Sequence, residues 1–441
     1  MTDTVTALPK FHAETWYRYD LGAATLADHL SGRVRAGTVI VGAGLAGLST
    51  ALGLVERGER DVLVLDRGGP AEGASGRNGG FVFGGFSLDN LELARQLGSD
   101  RAAQLHRWTR DAVGLVRQRC GDMGVAVSDG AVLLADWFGK SERLNRFRSQ
   151  MSEQLDFRLD RVDERDMPRY VVSERYGAGL LEPGSFHFNP LAYARAISAR
   201  LRESGVRVVS NAPVSSMTTD RDGWRLTTSE ADIKADRVVL ATGGYDRRLR
   251  PRLQRAIQPI GTYVMVTESL GDRLKALIPG GVAVYDTRFA FDYYRPLHDG
   301  RLLWGGRIST ADRDPAGIRK LLYRDMLRVF PSLAGCGIDF SWGGWMSYAR
   351  HQMPILGEME PGLWSALAFG GHGMAPTTLA GEVLAEAMTG DSTRLRQFES
   401  WGPTWAGGPF GRAAVQGVYW WKQLRDAIGG LRIPGQGSRK G

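Results

Sequence analysis

The first uninterrupted hydrophobic run, residues 38–41, is built of β-branched residues with no charge among them, the pattern of a strand buried on both faces. It stops at glycines. Apolar positions then recur at helical spacing over 45–57, and a second buried strand follows at 61–65. Strand, helix and strand of these lengths predict a βαβ unit. Helical spacing also predicts one long helix over 88–119 and another over 141–155. Asn189 before Pro190 predicts a capped helix over 191–202, leading into a strand at 206–210. Residues 214–234 alternate as antiparallel strands around Asp222-Gly223, and the apolar strand 237–241 runs into Thr242-Gly243-Gly244. Beyond that point the pattern changes to antiparallel pieces with aromatic alternation at 260–267, 289–296 and 301–306, the last two joined by an Asp299-Gly300 turn. A helix near 318–330, strands at 340–347 and 363–369 and a helix over 374–388 complete the reading. The pattern is α/β at its start and α+β over the whole chain.

Composition sharpens this picture in one respect. Of 441 residues 58 are glycine, nearly twice the usual frequency of roughly 7%. They gather in clusters far apart in sequence, as close backbone approach to one large nucleotide-like ligand would require. The formal charge of +8 is spread along the chain apart from the short Arg439-Lys440 tail, which argues against nucleic acid and allows a mild attraction for anionic cofactors. Two cysteines, Cys120 and Cys336, cannot build a disulfide framework or a thiolate metal site, and the histidines lack metal-ligand spacing, so the expectation is a cytoplasmic protein without a metal. The N-terminus has no signal-peptide pattern. The longest apolar stretch, 38–55, contains Gly42, Gly44, Gly47 and Gly53 and reads as strand, turn and helix, so no membrane span is expected.

The turn after the first strand is Gly42-Ala43-Gly44-Leu45-Ala46-Gly47, and Asp66 ends the second strand. This is a dinucleotide fingerprint in its required context. Gly42 permits the tight turn, Gly44 lets a pyrophosphate reach the backbone and the helix dipole, Gly47 lets helix rest on strand, and Asp66 would hold ribose hydroxyls. Three further stretches distinguish FAD from NAD. Gly73-Ala74-Ser75-Gly76-Arg77-Asn78-Gly79-Gly80 could wrap the pyrophosphate and approach an isoalloxazine ring; Ala241-Thr242-Gly243-Gly244 ends a buried strand beside it; and Gly370-Gly371-His372-Gly373-Met374 precedes the last helix, whose amides could face the flavin pyrimidine.

These stretches, with the Trp16-Tyr17 lead-in and the segment FDYYRPLHDGRLLWGGR at 291–307, occur in an order that resembles the D-amino-acid oxidase (DAO) superfamily of flavoproteins, and within it the gamma-glutamylputrescine oxidase-like amine oxidoreductases. The resemblance spans about 16–390. It implies a Rossmann-like FAD-binding domain interleaved with an antiparallel-sheet substrate domain, of glutathione-reductase-like, DAO type. The corresponding division is a lead-in over 1–36, an FAD domain of 37–90, 187–245 and 345–400, a substrate domain of 91–186 and 246–344, and a C-terminal helix and mobile tail over 401–441. It further implies non-covalent FAD, with Arg67 and Val214 joining the motif residues as contacts, and hydride transfer from a C–H next to an amine nitrogen to flavin N5, giving an imine that water hydrolyses. No side-chain base is required if the amine arrives neutral.

The absence of a second GxGxxG and of CxxC disfavours enzymes fed by NAD(P)H, so electrons are expected to enter from a small-molecule amine and leave to oxygen or another acceptor. Some relatives that oxidise amino acids place an arginine where this chain has Gly343-Gly344-Trp345-Met346-Ser347; Arg350 or Arg295 could serve instead from another direction. Tyr263, Tyr293, Arg295, Trp345 and His372 are the candidate substrate-pocket residues, each also readable as packing, and His372 as a spacer between functional glycines. An amino-acid oxidase or dehydrogenase of glycine-oxidase or sarcosine-oxidase type, and a flavin-binding electron-transfer subunit of a larger complex, stay open as alternatives. The oligomeric state is also open, a homo-oligomer being compatible.

Overall fold

A computed structural model describes residues 14–22, 28–246, 248–311 and 313–429. The basic segment expected to be a mobile tail lies outside the described residues.

Two eight-stranded sheets form the framework. In the first, the strands Ile355–Glu360, Leu363–Leu367, Ala231–Leu240, Gly32–Val41, Val62–Leu65 and Arg207–Val209 lie side by side, and the hairpin of Ser216–Asp220 and Gly223–Thr227 attaches to Ala231–Leu240. Its central pairs are parallel, with Ile40 opposite Val64 on one side and Val239 on the other. Successive side chains of a strand leave on opposite faces. Accordingly Ile40, Val64 and Val239 join the core under the helices Leu45–Glu56 and Met374–Met388, whereas Val39, Val41, Leu63 and Leu240 join a separate core on the far face. The strand is more than twice as long as the apolar run suggests, because residues 32–36 also pair in register with 231–235, a stretch too polar to reveal itself by hydrophobicity.

The second sheet runs Ile338–Tyr348, Gln258–Thr267, Leu302–Ser309, Tyr293–Pro296, Ala283–Asp286, Val132–Ala135, Gly179–Glu182 and Asp160–Val162. All its pairs are antiparallel except Ala283–Asp286 against Val132–Ala135. The strand Ile338–Tyr348 is continuous through residue 345, and Gly32–Val41 through residue 37, so two of the expected domain boundaries fall inside strands. The long helix expected over 88–119 is two helices, Asn90–Leu97 and Ser99–Asp122. Gly98, at φ +82°, breaks them apart in a backbone conformation that a residue with a side chain adopts only under strain. The helix Pro190–Glu203 begins as Asn189 and Pro190 predict, with Asn189 accepting from the amides of Leu191 and Ala192. Among the described residues no helix is long and apolar enough to cross a membrane.

Candidate active site

A cavity of about 1980 Å³ lies between the sheets and is lined from both. At one end are the carboxyl ends of the parallel strands, where Gly42 leaves the strand Gly32–Val41 at φ +113°. A Cβ on Gly42 would stand 2.5 Å from the carbonyl oxygen of Ala241, and one on Gly47 would stand 1.9 Å from that of Gly42. Only glycine fits either position. Gly44 is the N-cap of Leu45–Glu56 and brings no side chain to cap it, so the amides of the first turn open on the cavity; that of Leu45 donates to Ser75 Oγ at 2.9 Å. The Asp66 carboxylate accepts from the amides of Ala43 (2.7 Å) and Gly68 (2.9 Å), which fixes its position at the cavity edge and leaves lone pairs for further donors. Its burial raises its pKa, against the opposing pull of those two amides.

Gly42, Gly44, Leu45, Ala46, Asp66, Arg67, Gly73, Ala74, Ser75, Arg77, Asn78, Gly79, Val214, Thr242, Gly243 and the run Gly370, Gly371, His372, Gly373 and Met374 all line this one cavity. Ala43, Gly47, Gly80 and Gly244 stand behind its wall. Their parts are indirect: Ala43 orients Asp66, and Gly80, at φ +75°, passes so close to Phe188 that a Cβ would stand 2.2 Å from its carbonyl oxygen. A second uncapped helix N-terminus, that of Met374–Met388 with Gly373 as N-cap, faces the same space. The residues present fit an extended dinucleotide. Two open helix N-termini, an acid at the second strand end and Thr242 Oγ1, buried with no hydrogen-bond partner in the protein, are the donors and acceptors that pyrophosphate, ribose and ring would use.

The glycine-rich loop 73–80 is held from outside by residues that sequence patterns did not single out for this task. Tyr17 Oη donates to the carbonyl of Asn78 (2.7 Å), and Trp342 Nε1 to that of Arg77 (2.9 Å). Arg295 belongs to the same device. Expected in the substrate pocket, it is instead buried behind the loop, where Nε donates to the carbonyl of Gly79 (2.6 Å) and Nη2 to that of Phe188 (2.8 Å) and to Tyr17 Oη (3.2 Å). His187 sits beside it with Nε2 2.8 Å from the carbonyl oxygen of Gly281, and burial, helped by the Arg295 charge, holds its imidazole down to about 3 and therefore neutral.

Of the other pocket candidates, Tyr293, Trp345 and His372 line the cavity. Tyr263 does not. On its strand Ile260 and Thr262 face the cavity, and one residue on, the period of two sends Tyr263 into the opposite core with Met265, Trp304 and Phe330. Tyr293 reaches the cavity because Gly305 and Gly79 make room for its ring; Cβ atoms there would stand 2.1 and 2.7 Å from it. Burial lowers the His372 imidazole to about 4, so it is neutral at ordinary pH, and it meets Phe83 edge-on with centroids 4.3 Å apart. Phe83, Tyr285, Tyr348 and Glu182 complete this end of the cavity, and no spacing in the sequence announces them. Arg350 lies on the cavity wall and is exposed, whereas neither Cys120 nor Cys336 lines the cavity.

Fold and cavity fit a flavoenzyme class, with a parallel sheet carrying the dinucleotide fingerprint and an antiparallel sheet facing it across the cavity. Residues 38–387 match the family described as DAO, FAD dependent oxidoreductase, and the chain belongs to it. It is 30% identical over 400 residues to gamma-glutamylputrescine oxidoreductase of Escherichia coli (strain K12), covering 88% of this chain and 91% of that one. It is 29% identical to the probable oxidoreductase OrdL of Haemophilus influenzae, covering 82% and 84%. Among solved structures, glycine oxidase from Geobacillus kaustophilus superposes with a TM-score of 0.70 at 20% identity, covering 84% of this chain and 99% of that one. The protein is thus an FAD-dependent oxidoreductase of this family.

Proposed function

We propose that the substrate is an amine, primary or secondary, and that the aromatic end of the cavity is where it is oxidised. The observation carrying this reading is the wall itself: Tyr293 and a neutral His372 offer apolar and π surface without charge, as an amine in its neutral form would need. Similarity to gamma-glutamylputrescine oxidoreductase supports it and brings an amine of polyamine-conjugate type into view. FAD, held non-covalently, supplies the hydride acceptor at its N5, and oxygen or another acceptor takes the electrons on. The chain's own residues bind and orient. The amides at the starts of Leu45–Glu56 and Met374–Met388 would meet the cofactor's negative groups, Asp66 would take ribose hydroxyls, and Arg295 with Tyr17 and Trp342 fixes the loop 73–80 that would hold it. With the amine neutral, its lone pair assists departure of the hydride and no basic side chain is needed; the imine leaves to water. Two unpaired, buried cysteines suit the reducing cytoplasm.

One observation favours a second reading. Arg350 is exposed on the cavity wall and could pair with a substrate carboxylate, which would make the chain an amino-acid oxidase or dehydrogenase. Anaerobic titration of the holoprotein, watching the flavin band near about 450 nm, separates the readings. Bleaching by amines at concentrations where amino acids leave the band intact is expected; preferential bleaching by an amino acid, abolished in Arg350→Ala, would overturn the amine reading. Flavin that no small molecule reduces, but a partner protein does, would identify an electron-transfer subunit.

A further inference from the structure

The aromatic end of the cavity contains a carboxylate that, among the described residues, makes no ion pair. Phe83 stacks on Tyr285 with centroids 5.6 Å apart and 25° between planes, Tyr285 meets Phe291 at 5.8 Å, and Glu182 lines the cavity with all three. Glu182 closes the strand Gly179–Glu182, and its Oε1 accepts from the amide of Gly84 at 2.6 Å, so the carboxylate is tied to the turn that carries Phe83. Among the described residues no cationic side chain makes an ion pair with it; Arg110, whose guanidinium lies over the Phe157 ring at 4.6 Å, is near enough for its charge to act on it. Asp89 adds a second negative charge close enough, with Glu182, to act on the Tyr285 phenol, while its own side chain caps the helix Asn90–Leu97. Burial raises the Glu182 carboxyl to about 7, against the opposing pull of the Gly84 amide and the Arg110 charge.

We propose that this box receives a second, non-reacting ammonium group of the substrate, with Glu182 as its anion and Phe83, Tyr285 and Phe291 as its π walls, so that the enzyme selects small diamines over monoamines of equal length. The proposal rests on the amine reading above and deepens it. A carboxylate beside the reacting nitrogen would hold that nitrogen protonated and remove the lone pair that assists hydride loss, so the anion suits the nitrogen that stays charged. Aromatic faces attract the same cation through their quadrupoles. A substrate carboxylate entering this end would meet like charge.

The test uses the holoenzyme with 1,4-diaminobutane and n-butylamine under anaerobic stopped flow. Wild type is expected to saturate with the diamine at a concentration at least about tenfold lower, and Glu182→Gln to raise the half-saturating diamine concentration by about 10- to 100-fold, the loss typical of one hydrogen bond to a charged group, with the limiting rate of flavin reduction nearly unchanged and n-butylamine unaffected. Calorimetry with tetramethylammonium, which cannot be oxidised, reads the box without turnover, and binding is expected to weaken in Glu182→Gln and in Phe83→Leu. Equal weakening of both amines would mean that Glu182 acts only through the Gly84 turn, and unchanged diamine saturation would mean that it does not touch substrate; either overturns the proposal. Bleaching by amino acids alone would overturn the amine reading and this proposal with it, whereas bleaching by both amines without discrimination overturns this proposal and leaves that reading standing. Should Glu182→Gln lose FAD, Phe83→Leu decides the matter by the same comparison.

Discussion

Single residues carry the cofactor end of the molecule, and several of them act through what they lack. A valine at Gly44 would put its first carbon 3.0 Å from Ser75 Oγ and its branches over the amides of the first helical turn, so Gly44→Val is expected to purify colourless and to regain no absorbance near about 450 nm on addition of FAD. The glycines of this fingerprint were legible in the sequence because each answers to a local rule. Arg295 was not, because its partners are carbonyl oxygens 216 and 107 positions away along the chain. A lysine there keeps the charge and loses the planar fork that reaches Gly79 and Phe188 together. Arg295→Lys should therefore weaken FAD retention by about tenfold or more, read as the FAD concentration needed to restore colour after stripping, while far-ultraviolet circular dichroism stays unchanged. Retention equal to wild type would show that the loop 73–80 holds its shape without this clamp.

At the scale of elements, the two helices whose N-termini face the cavity are pressed against each other by small residues. A Cβ on Gly381 would stand 2.4 Å from the backbone of Ser49, and one on Gly53 would stand 2.9 Å from Ala385 Cβ. Gly381→Val overpacks this contact, a change worth typically about 1–3 kcal/mol, and is expected to lower Tm by several degrees and to loosen FAD, since both N-termini move with their helices. The same two helices are tied to Ser99–Asp122 by Arg119, buried between Glu56 and Glu382 at 2.6 Å from each. Glu382 keeps its ion pair with Arg57 at 2.9 Å and Glu56 is half exposed, so Arg119→Ala should cost less than the loss of an isolated buried pair, about 1–3 kcal/mol, and Arg119→Met, which keeps the volume but not the charge, less than that. Thermal melts of both variants, with Glu382→Gln combined with Arg119→Met as the neutral replacement expected to recover part of the loss, check the account. The helix expected to be continuous over 88–119 shows the limit of periodicity: Gly98 interrupts it without altering the apolar spacing on either side.

For the whole molecule, the cavity is a product of assembly. Its walls come from both sheets, from the loop 73–80 and from the C-terminal helix Gly408–Gly429, whose Val415, Val418 and Tyr419 face it while Tyr419 Oη accepts from the amide of Ile308. Ending the chain at Gly407 removes that wall. FAD should still bind, because the fingerprint, the loop 73–80 and the helix Met374–Met388 remain, but quenching of flavin fluorescence by iodide should increase; unchanged quenching would mean that the helix does not shield the flavin. The sequence by itself determined the βαβ start, the dinucleotide fingerprint and the capped helix at Asn189, since each is written in residues near one another along the chain, and the family, since its motifs recur in a fixed order. Tertiary structure alone decided which residues share the cavity. The parity that turns Tyr263 away and Thr262 inward, the clamp made by Tyr17, Trp342 and Arg295, and the box around Glu182 all depend on the register and crossing of segments well separated along the chain, where no local pattern of hydrophobicity or spacing carries the information.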